Sequence, residues 1–309
     1  MTTENAIPNE SYWLCPLYSF NCYSSEDLGY PPEKIDLFED IQLQLVTPEL
    51  RNYLHLRYPD WDEASVADYM IVMPRNGKAS FLREIADKSE LLVDLISTFR
   101  LYHTGGVTPG PLLPSKPSVF GDIATYISKA EIDPTSFGLP EYEFYLSDVP
   151  MFNKLMGEIR TCRKTGKLGA VDEALRRFNF SYSGEPEDRL IDQMIAFESL
   201  YIGDDKELGY KLALRTAFFL GKKRKQIFSD MKQAYDLRGK VVHGTKKMDL
   251  LEIEKIIPKT EEYLRQSIRK FLALLPLYSP DDLKKAKEKR LAKLDENILN
   301  NGRVLAFRE

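Results

Sequence analysis

The apolar positions in the first half of the chain follow strand spacing, apart from one long helical stretch. The run SYWLCPLYSF from Ser11 is rich in aromatic residues, and this composition favours a strand. In IDLFEDIQLQLV the residues Ile41, Leu43 and Leu45 alternate with polar ones, which predicts a second strand. The segments DYMIVMP, SVFGDIATYISKAEI and EYEFYL are also typical of strands. Together these patterns predict a mixed α/β domain over residues 1–150.

Two helices are predicted among these strands. Thr47 is followed by Pro48 and Glu49, which is the order of an N-cap and a first helical turn, so a helix should begin there. The stretch from Ser80 to His103 has apolar residues at roughly helical spacing and predicts the other helix. After it, the segment from Gly105 to Pro117 contains three glycines and four prolines, which predicts a loop or hinge without regular structure.

From Met151 onward the apolar spacing is helical almost throughout. Breaks at SYSGEPED, YIGDD and HGTKKM divide this part into segments of ordinary helix length, which predicts a helix bundle over residues 151–280. The last stretch, DDLKKAKEKRLAKLDENIL, has few apolar residues, so residues 281–309 are expected to form an exposed, charged helix or tail. The fold class expected for the whole chain is therefore α+β.

Composition argues against several classes of protein. No run approaches the roughly 18 apolar residues of a membrane helix, and MTTENAIPNE has neither the basic start nor the apolar core of a signal peptide. A cytoplasmic protein without a membrane partner is therefore expected. The three cysteines are scattered, form no CxxC pair and are accompanied by only three histidines. We accordingly expect no disulfide framework, no metal site and no small-molecule cofactor.

Charge is distributed unevenly along the chain. Residues 1–150 contain 10 Lys and Arg against 23 Asp and Glu, whereas residues 151–309 contain 33 against 24. The halves therefore carry −13 and +9. A basic half attracts polyanions such as nucleic acid, although Lys-rich helices can also be merely well solvated. A further possibility is that the acidic half is a sensor that restrains the basic half.

One arginine occupies an unusual position in the helix predicted from about Lys222 to Val242. The apolar stripe of this helix consists of Ile227, Met231, Ala234, Val241 and Val242. At about 100° of rotation per residue, Arg238 falls inside this stripe and needs an acceptor, because a guanidinium cannot lose its proton. On the helix from about Pro186 to Tyr201, Glu198 lies beside the core-facing line, and Arg215 lies on the apolar face of the next helix. Glu198 could pair with either arginine, or all three could form a structural ion network.

His243 follows Arg238 by five residues, and Gly244 behind it predicts the end of the helix. There the imidazole can reach solvent and exchange a proton near neutral pH. An arginine and a histidine suffice to cleave RNA without a metal, because the ribose 2′-hydroxyl is the nucleophile. The histidine removes its proton, the alkoxide attacks the adjacent phosphorus, and the arginine stabilises the phosphoryl oxygens. The spacing R-x4-H is weak evidence by itself.

The other two histidines are expected to have structural roles. His55 lies among Tyr53, Leu54 and Leu56, which indicates a structural role. His103 ends a predicted helix before two glycines, where it can act as a cap.

The surroundings of Arg238 and His243 resemble a known family. The strings RRFNFSYS, EDRLIDQMIAFESLY, YKLALRTAFFLG and AYDLRGKVVHGT have the order and spacing of the Apea-like HEPN domain of prokaryotic defence proteins, over about residues 165 to 275. W-L-C-P-L-Y and LLVDLISTFRLYHTGGV resemble the region that precedes this domain. The resemblance implies a helical bundle that forms a homodimer, cleaves RNA and acts in antiphage defence or a toxin-like system. It also implies that Arg238 and His243 are the catalytic R-x4-6-H residues.

The resemblance leaves a second function open. Active members often have a polar residue after the arginine, whereas this chain has Gly239. A non-catalytic nucleic-acid-binding or dimerisation module is therefore the alternative to an endoribonuclease. Supporting or structural roles are expected for Glu198, Arg215, Tyr235 and Asp236. Contacts to RNA phosphates are expected from Lys222, Lys223, Arg224, Lys240, Lys246 and Lys247.

Overall fold

The computed structural model describes residues 11–25, 29–58, 67–75, 81–115, 139–203, 207–244, 250–275 and 283–300. The fold is α+β, and the chain divides into two compact units, Met1–Gly157 and Glu158–Glu309. This division falls inside helix α3 (Val149–Lys164), whose first turn contains Pro150. The change from strand to helix spacing near residue 150 therefore marks the start of α3.

Strands of the first unit form two sheets. The described strands are β1 (Tyr12–Tyr18), β2 (Phe20–Tyr23), β3 (Lys34–Asp36), β4 (Gln42–Leu45), β5 (Tyr69–Pro74), β6 (Thr108–Pro109), β7 (Leu113–Pro114) and β8 (Tyr142–Tyr145). The main sheet has the order β3-β4-β5-β1-β6, with β7 also paired to β1, and these pairs are antiparallel. β2 and β8 pair in parallel in a separate small sheet.

The core of the first unit lies on both faces of the main sheet. Alternate residues of a strand point to opposite faces. Trp13 and Ile71 accordingly belong to the cluster that contains the apolar side of α2 (Phe81–Tyr102), and Leu14 and Val72 belong to the cluster that contains α1 (Pro48–Arg57). Burial on both faces explains why β1 and β5 have continuous apolar runs rather than simple alternation.

Most elements predicted for the first unit are confirmed. β1, β5, β8, α1 and α2 lie where their patterns predicted them, and the Thr47 hydroxyl accepts a hydrogen bond from the Leu50 amide at 3.3 Å, as an N-cap does. The segment IDLFEDIQLQLV forms two antiparallel strands, β3 and β4, rather than one. The segment SVFGDIATYISKAEI lies outside the described residues.

The prediction of an irregular hinge from Gly105 to Pro117 is wrong for the part that is described. β6 and β7 pair with β1, and residues 105–115 are buried. Proline is compatible with these pairings because a sheet edge leaves some backbone N–H groups without a strand partner. Gly105 has a φ of +144°, and a Cβ there would lie 2.6 Å from the Tyr142 Cα, so this segment needs glycine for close packing.

The second unit is built from helices. After α3, the described helices are α4 (Ala170–Phe180), α5 (Pro186–Tyr201), α6 (Leu208–Leu220), α7 (Arg224–Val242), α8 (Leu250–Leu274) and α9 (Leu283–Leu299). α5 contacts α4, α6, α7 and α8. Its core-facing residues Leu190, Met194, Phe197 and Tyr201 are fully buried, as their spacing predicted. None of the helices in the described ranges is long and apolar enough to cross a membrane.

α9 is not the exposed helix that its composition predicted. Leu291 and Leu294 are buried, and Asp295 forms an ion pair with Arg215 of α6. Leu291 and Leu294 lie on one face of α9, three residues apart, and this narrow stripe packs against the bundle where α9 contacts α6.

Candidate functional site

α7 carries both residues of the candidate catalytic pair. Its buried residues are Ile227, Asp230, Met231, Ala234 and Leu237. The helix begins after Lys223, which has a left-handed backbone, and ends at His243, after which Gly244 has a φ of +64°. The helix end predicted from Gly244 is therefore confirmed. Val242 was placed in the apolar stripe, but it is 56% exposed because the last turn extends past the neighbouring helices.

Arg238 pairs with Glu198 of α5. Its Nη1 lies 3.4 Å from the Glu198 Oε1, and both side chains are about one-quarter exposed. The prediction that an acid must approach this arginine is confirmed, and of the two arginines considered Glu198 pairs with Arg238. Among the described residues, Arg238 Nε and Glu198 Oε1 are buried without a hydrogen-bond partner. The buried Nε is out of reach of a ligand, but the one-quarter of the side chain that is exposed can meet an anionic ligand.

Tyr235 supports Arg238 from the preceding turn of α7. The guanidinium carbon lies 5.8 Å from the centre of the Tyr235 ring, a distance typical of a cation–π contact. On its other side the ring lies against Gly209 of α6, where an added Cβ would be 2.6 Å from Tyr235 Cδ1. Burial raises the pKa of the Tyr235 hydroxyl, and the charge of Glu198 raises it further while Arg238 opposes both.

Arg215 belongs to a different cluster. Its Nε and Nη2 donate to the two carboxylate oxygens of Asp295 at 2.8 and 2.7 Å, and its Nη1 donates to the Tyr201 carbonyl at 2.6 Å. The side chain is only 7% exposed. Arg215 is thus a buried link between α5, α6 and α9, which agrees with a structural role.

His243 is exposed at the C-terminal end of α7. Its side chain can therefore reach a polymer in solution, as its place before Gly244 predicted. Five residues of α-helix correspond to a rotation of about 140° and a rise of about 7.5 Å, so Arg238 and His243 point to different sides of α7. A single chain does not direct both side chains at one atom.

The predicted phosphate ligands are divided between the two ends of α7. Lys240 and Asp236 are exposed and line a shallow groove near His243 that also includes Lys232, Leu237 and Glu252. The residues Lys222, Lys223 and Arg224 lie at the other end. α7 has 19 residues and is about 28 Å long, so this trio is not close to His243. Lys246 and Lys247 lie outside the described residues.

The sequence reasoning missed Asp230, which links α7 to α8. Its carboxylate accepts hydrogen bonds from Gln226 at 2.9 Å, Lys259 at 3.1 Å and Tyr263 at 2.9 Å. Burial by itself raises the pKa of Asp230, but these donors outweigh burial and the pKa is lowered. The sequence contained a signal for this structural role, because Asp230 falls on the buried side of α7 between Ile227 and Met231.

The two other histidines lie in the first unit. His55 is exposed on α1, because the buried side of that helix passes through Leu50 and Leu54. His103 ends α2 as predicted, and its backbone amide donates to the Phe99 carbonyl at 3.1 Å. The Nε2 of His103 lies 3.2 Å from Asp148 Oδ2, which joins the end of α2 to the start of α3. No spacing in the sequence indicated this contact.

No family model, curated protein or solved structure matches the chain. What the site can do must follow from its own residues. In the described ranges no three metal-ligating side chains lie together. The groups present are a partly exposed, ion-paired guanidinium, an exposed imidazole, and the groove lysines Lys232 and Lys240. These groups can bind phosphate, neutralise charge on it and transfer a proton.

Proposed function

We propose that the second unit is a HEPN-type endoribonuclease that cleaves RNA without a metal. The observation that carries the proposal is the exposure of His243 at the end of the same helix that holds Arg238 beside Glu198. The imidazole is accessible to a polymer, and the guanidinium is fixed in direction by Glu198 and Tyr235. Fixed cations and accessible bases are what phosphodiester cleavage requires.

In the proposed reaction, neutral His243 accepts the proton of a ribose 2′-hydroxyl. The 2′-oxygen attacks the adjacent phosphorus, the bond from phosphorus to the 5′-oxygen breaks, and the leaving oxygen takes up a proton. The products are a 2′,3′-cyclic phosphate and a 5′-hydroxyl end. Arg238 stabilises the negative charge on the non-bridging oxygens through the exposed part of its guanidinium side chain.

A second copy of the chain completes the proposed site. Because Arg238 and His243 are separated by about 140° around α7, they cannot both contact one phosphate within a single chain without rearrangement. We propose a homodimer through the helical unit, in which the two copies bring these side chains into one cleft, as the resemblance to HEPN domains implies.

The alternative function is a module that binds RNA or dimerises without cleaving. The specific observation in its favour is that Arg238 is already paired with an acid, which reduces the charge available to a phosphate. Gly239 also provides no polar side chain next to the pair. Binding of RNA without turnover would support this alternative.

Purified protein incubated with a mixed RNA pool and EDTA tests the ribonuclease. We expect cleavage by the wild type and a loss of about 10²- to 10⁴-fold in His243→Ala, which is the usual contribution of a general base. Arg238→Ala should lose activity comparably. The 3′ ends should carry cyclic phosphate, and a single 2′-deoxy substitution at the cut should block cleavage there.

His55→Ala is the matched control, because His55 is also an exposed histidine but lies on α1 of the first unit. It should cleave as fast as the wild type. Equal cleavage by wild type and His243→Ala, or none by either, rules out the proposed reaction. Expression in a bacterial host extends the test, since a toxin-like role predicts slower growth with the wild type than with His243→Ala.

A further inference from the structure

Five cations lie around the connection between α6 and α7. Four are consecutive in the sequence, and the fifth comes from α8. We call this set the basic turn, and it consists of Lys222, Lys223, Arg224, Lys225 and Lys270. Lys222, Lys223 and Lys225 are exposed. Within the described ranges no carboxylate pairs with these three lysines, and the first turn of α7 contains no acidic residue.

Lys270 is held in place beside this connection. Its ammonium group donates to the carbonyls of Phe219 at 2.9 Å and Leu220 at 3.2 Å, at the end of α6. Burial lowers the pKa of Lys270, and the neighbouring charge of Lys222 lowers it further. The basic turn therefore gathers five positive charges at this connection, and that of Lys270 is held in place by the end of α6.

A pair of aromatic rings, of which Tyr210 is exposed and Phe228 is half-buried, lies about one helical turn beyond Lys225. Tyr210 is 54% exposed and meets Phe228 edge to face, with ring centres 5.8 Å apart. Phe228 follows Arg224 by four residues and Lys225 by three, so all three share one side of α7. An exposed ring next to fixed cations is the combination with which proteins bind unpaired nucleotides, by base stacking and phosphate contact.

The basic turn and His243 lie on the same side of α7. Lys225 and His243 are 18 residues apart, which is five full helical turns and a distance of about 27 Å along the axis. Lys232 lies between them on nearly the same line. A strand of RNA that lies along this side of α7 therefore extends from the basic turn to His243.

We propose that the basic turn, together with Tyr210 and Phe228, is an anchor for single-stranded RNA about 27 Å from His243. This inference rests on the proposed ribonuclease and adds how its substrate is held. Lysines contact phosphates and an unpaired base stacks on Tyr210, while cleavage occurs at the other end of α7. A single strand of RNA with a helical rise of about 3.4 Å per phosphate covers the distance between the basic turn and His243 in about eight nucleotides. A stretched strand covers it in fewer nucleotides.

Binding is measured in the His243→Ala background, with a fluorescein-labelled unpaired RNA of about 16 nucleotides, twice the span between the two ends. Lys222→Gln with Lys223→Gln should lower the slope of log affinity against log salt by about 1.4, the value for two single-strand phosphate contacts. Tyr210→Ala should weaken binding at least about fivefold, whereas Tyr210→Phe should not. A duplex of equal length should bind less tightly than the single strand.

Lys255→Gln with Lys289→Gln is the control, because it removes the same charge from exposed positions of α8 and α9. If the basic-turn variant binds as the control does, the anchor is disproved. If Tyr210→Ala has no effect and the duplex competes equally, the turn binds polyanions in general and the single-strand proposal is wrong.

Cleavage assays separate the anchor from the reaction. In the protein with His243 intact, the lysine variant should raise KM for the RNA of about 16 nucleotides but not for one of about four, which is too short to span α7. The kcat should be unchanged in both cases. If the wild type binds as expected but cuts neither RNA, the proposed ribonuclease fails while the anchor stands.

Discussion

Gly239 lies inside α7 at a point where the fold does not require glycine. A Cβ added there has no atom within 4 Å. We therefore expect Gly239→Ala to raise the free energy of unfolding by about 0.5 to 1 kcal/mol, because alanine restricts the unfolded chain and favours helix. Urea denaturation measures this change. A destabilised variant would mean that α7 is not a continuous helix between Arg238 and His243.

Gly209→Ala should instead destabilise the protein, because the Cβ of the new alanine would lie 2.6 Å from Tyr235 Cδ1. The ring must move away from α6, and we expect a loss of about 1 to 3 kcal/mol in the free energy of unfolding, as in other overpacked sites. Because Tyr235 also contacts Arg238, RNA cleavage should fall as well. Stability equal to the wild type would show that α6 and α7 are farther apart than this contact implies.

Single residues could be predicted where the cause is local. Thr47 caps α1 and Gly244 follows the end of α7 because both effects depend on the backbone of a few neighbouring residues. Val242 is exposed although the helical wheel assigns it to the apolar stripe, because a wheel shows which residues share a side but not how far neighbouring elements cover that side. The sequence pattern did not single out Asp230, although this residue falls on the same side of α7 as the buried Ile227 and Met231.

Asp230 connects α7 to α8 through its hydrogen bonds with Lys259 and Tyr263. Its pKa is lower in the folded protein than the ordinary value of 3.8, so the stability it contributes is complete above that pH and is lost as pH falls through the lower folded value. We expect Asp230→Asn to be less stable near neutral pH and to lose less stability on further acidification. Unfolding measured across this range tests the sign. An acid response as steep as that of the wild type would contradict it.

Asp295 attaches α9 to the bundle. Replacing it by Asn removes the negative charge and one of the two acceptor oxygens that Arg215 uses, and weakening one partner of a buried pair is destabilising. Asp295 is 45% exposed, so we expect a smaller loss, on the order of 1 to 2 kcal/mol. Asp236→Asn, an exposed aspartate of α7, is the control and should be neutral. Equal stability of both variants would show that apolar contacts alone hold α9.

Elements were predicted well where periodicity alone decides them and poorly where pairing decides them. α2, α5 and α7 have enough apolar residues on one side to specify a helix. β6 and β7 are only two residues long, and they exist because β1 lies beside them, which no local pattern of glycine and proline reveals. α9 shows the same limit, because two leucines attach it only where α6 provides a surface.

At the scale of the whole chain, the change of spacing near residue 150 predicted that two differently built parts exist. The sequence indicated which residues form the candidate site, but not how those residues are arranged in space. Arg238 and Glu198 meet because α5 and α7 are adjacent, whereas His243 lies on another side of α7. The homodimer that we propose to complete the site is not specified by the periodicity of one sequence. The anchor at the basic turn likewise depends on Lys270 of α8, far away in the sequence.

The opposite charges of the two halves lead to the last prediction. If the basic segment of +9 binds RNA as we propose, the acidic segment of −13 in the same chain should compete with the RNA, and salt should screen this competition. We expect residues 149–309, which keep α3 whole, to bind unpaired RNA more tightly than the full chain at low ionic strength, with the difference disappearing at high ionic strength. A cooperative melt of the fragment must first show that it folds. Equal affinity of fragment and full chain at low salt would mean that the acidic half does not restrain RNA binding, and its charge would then need another explanation.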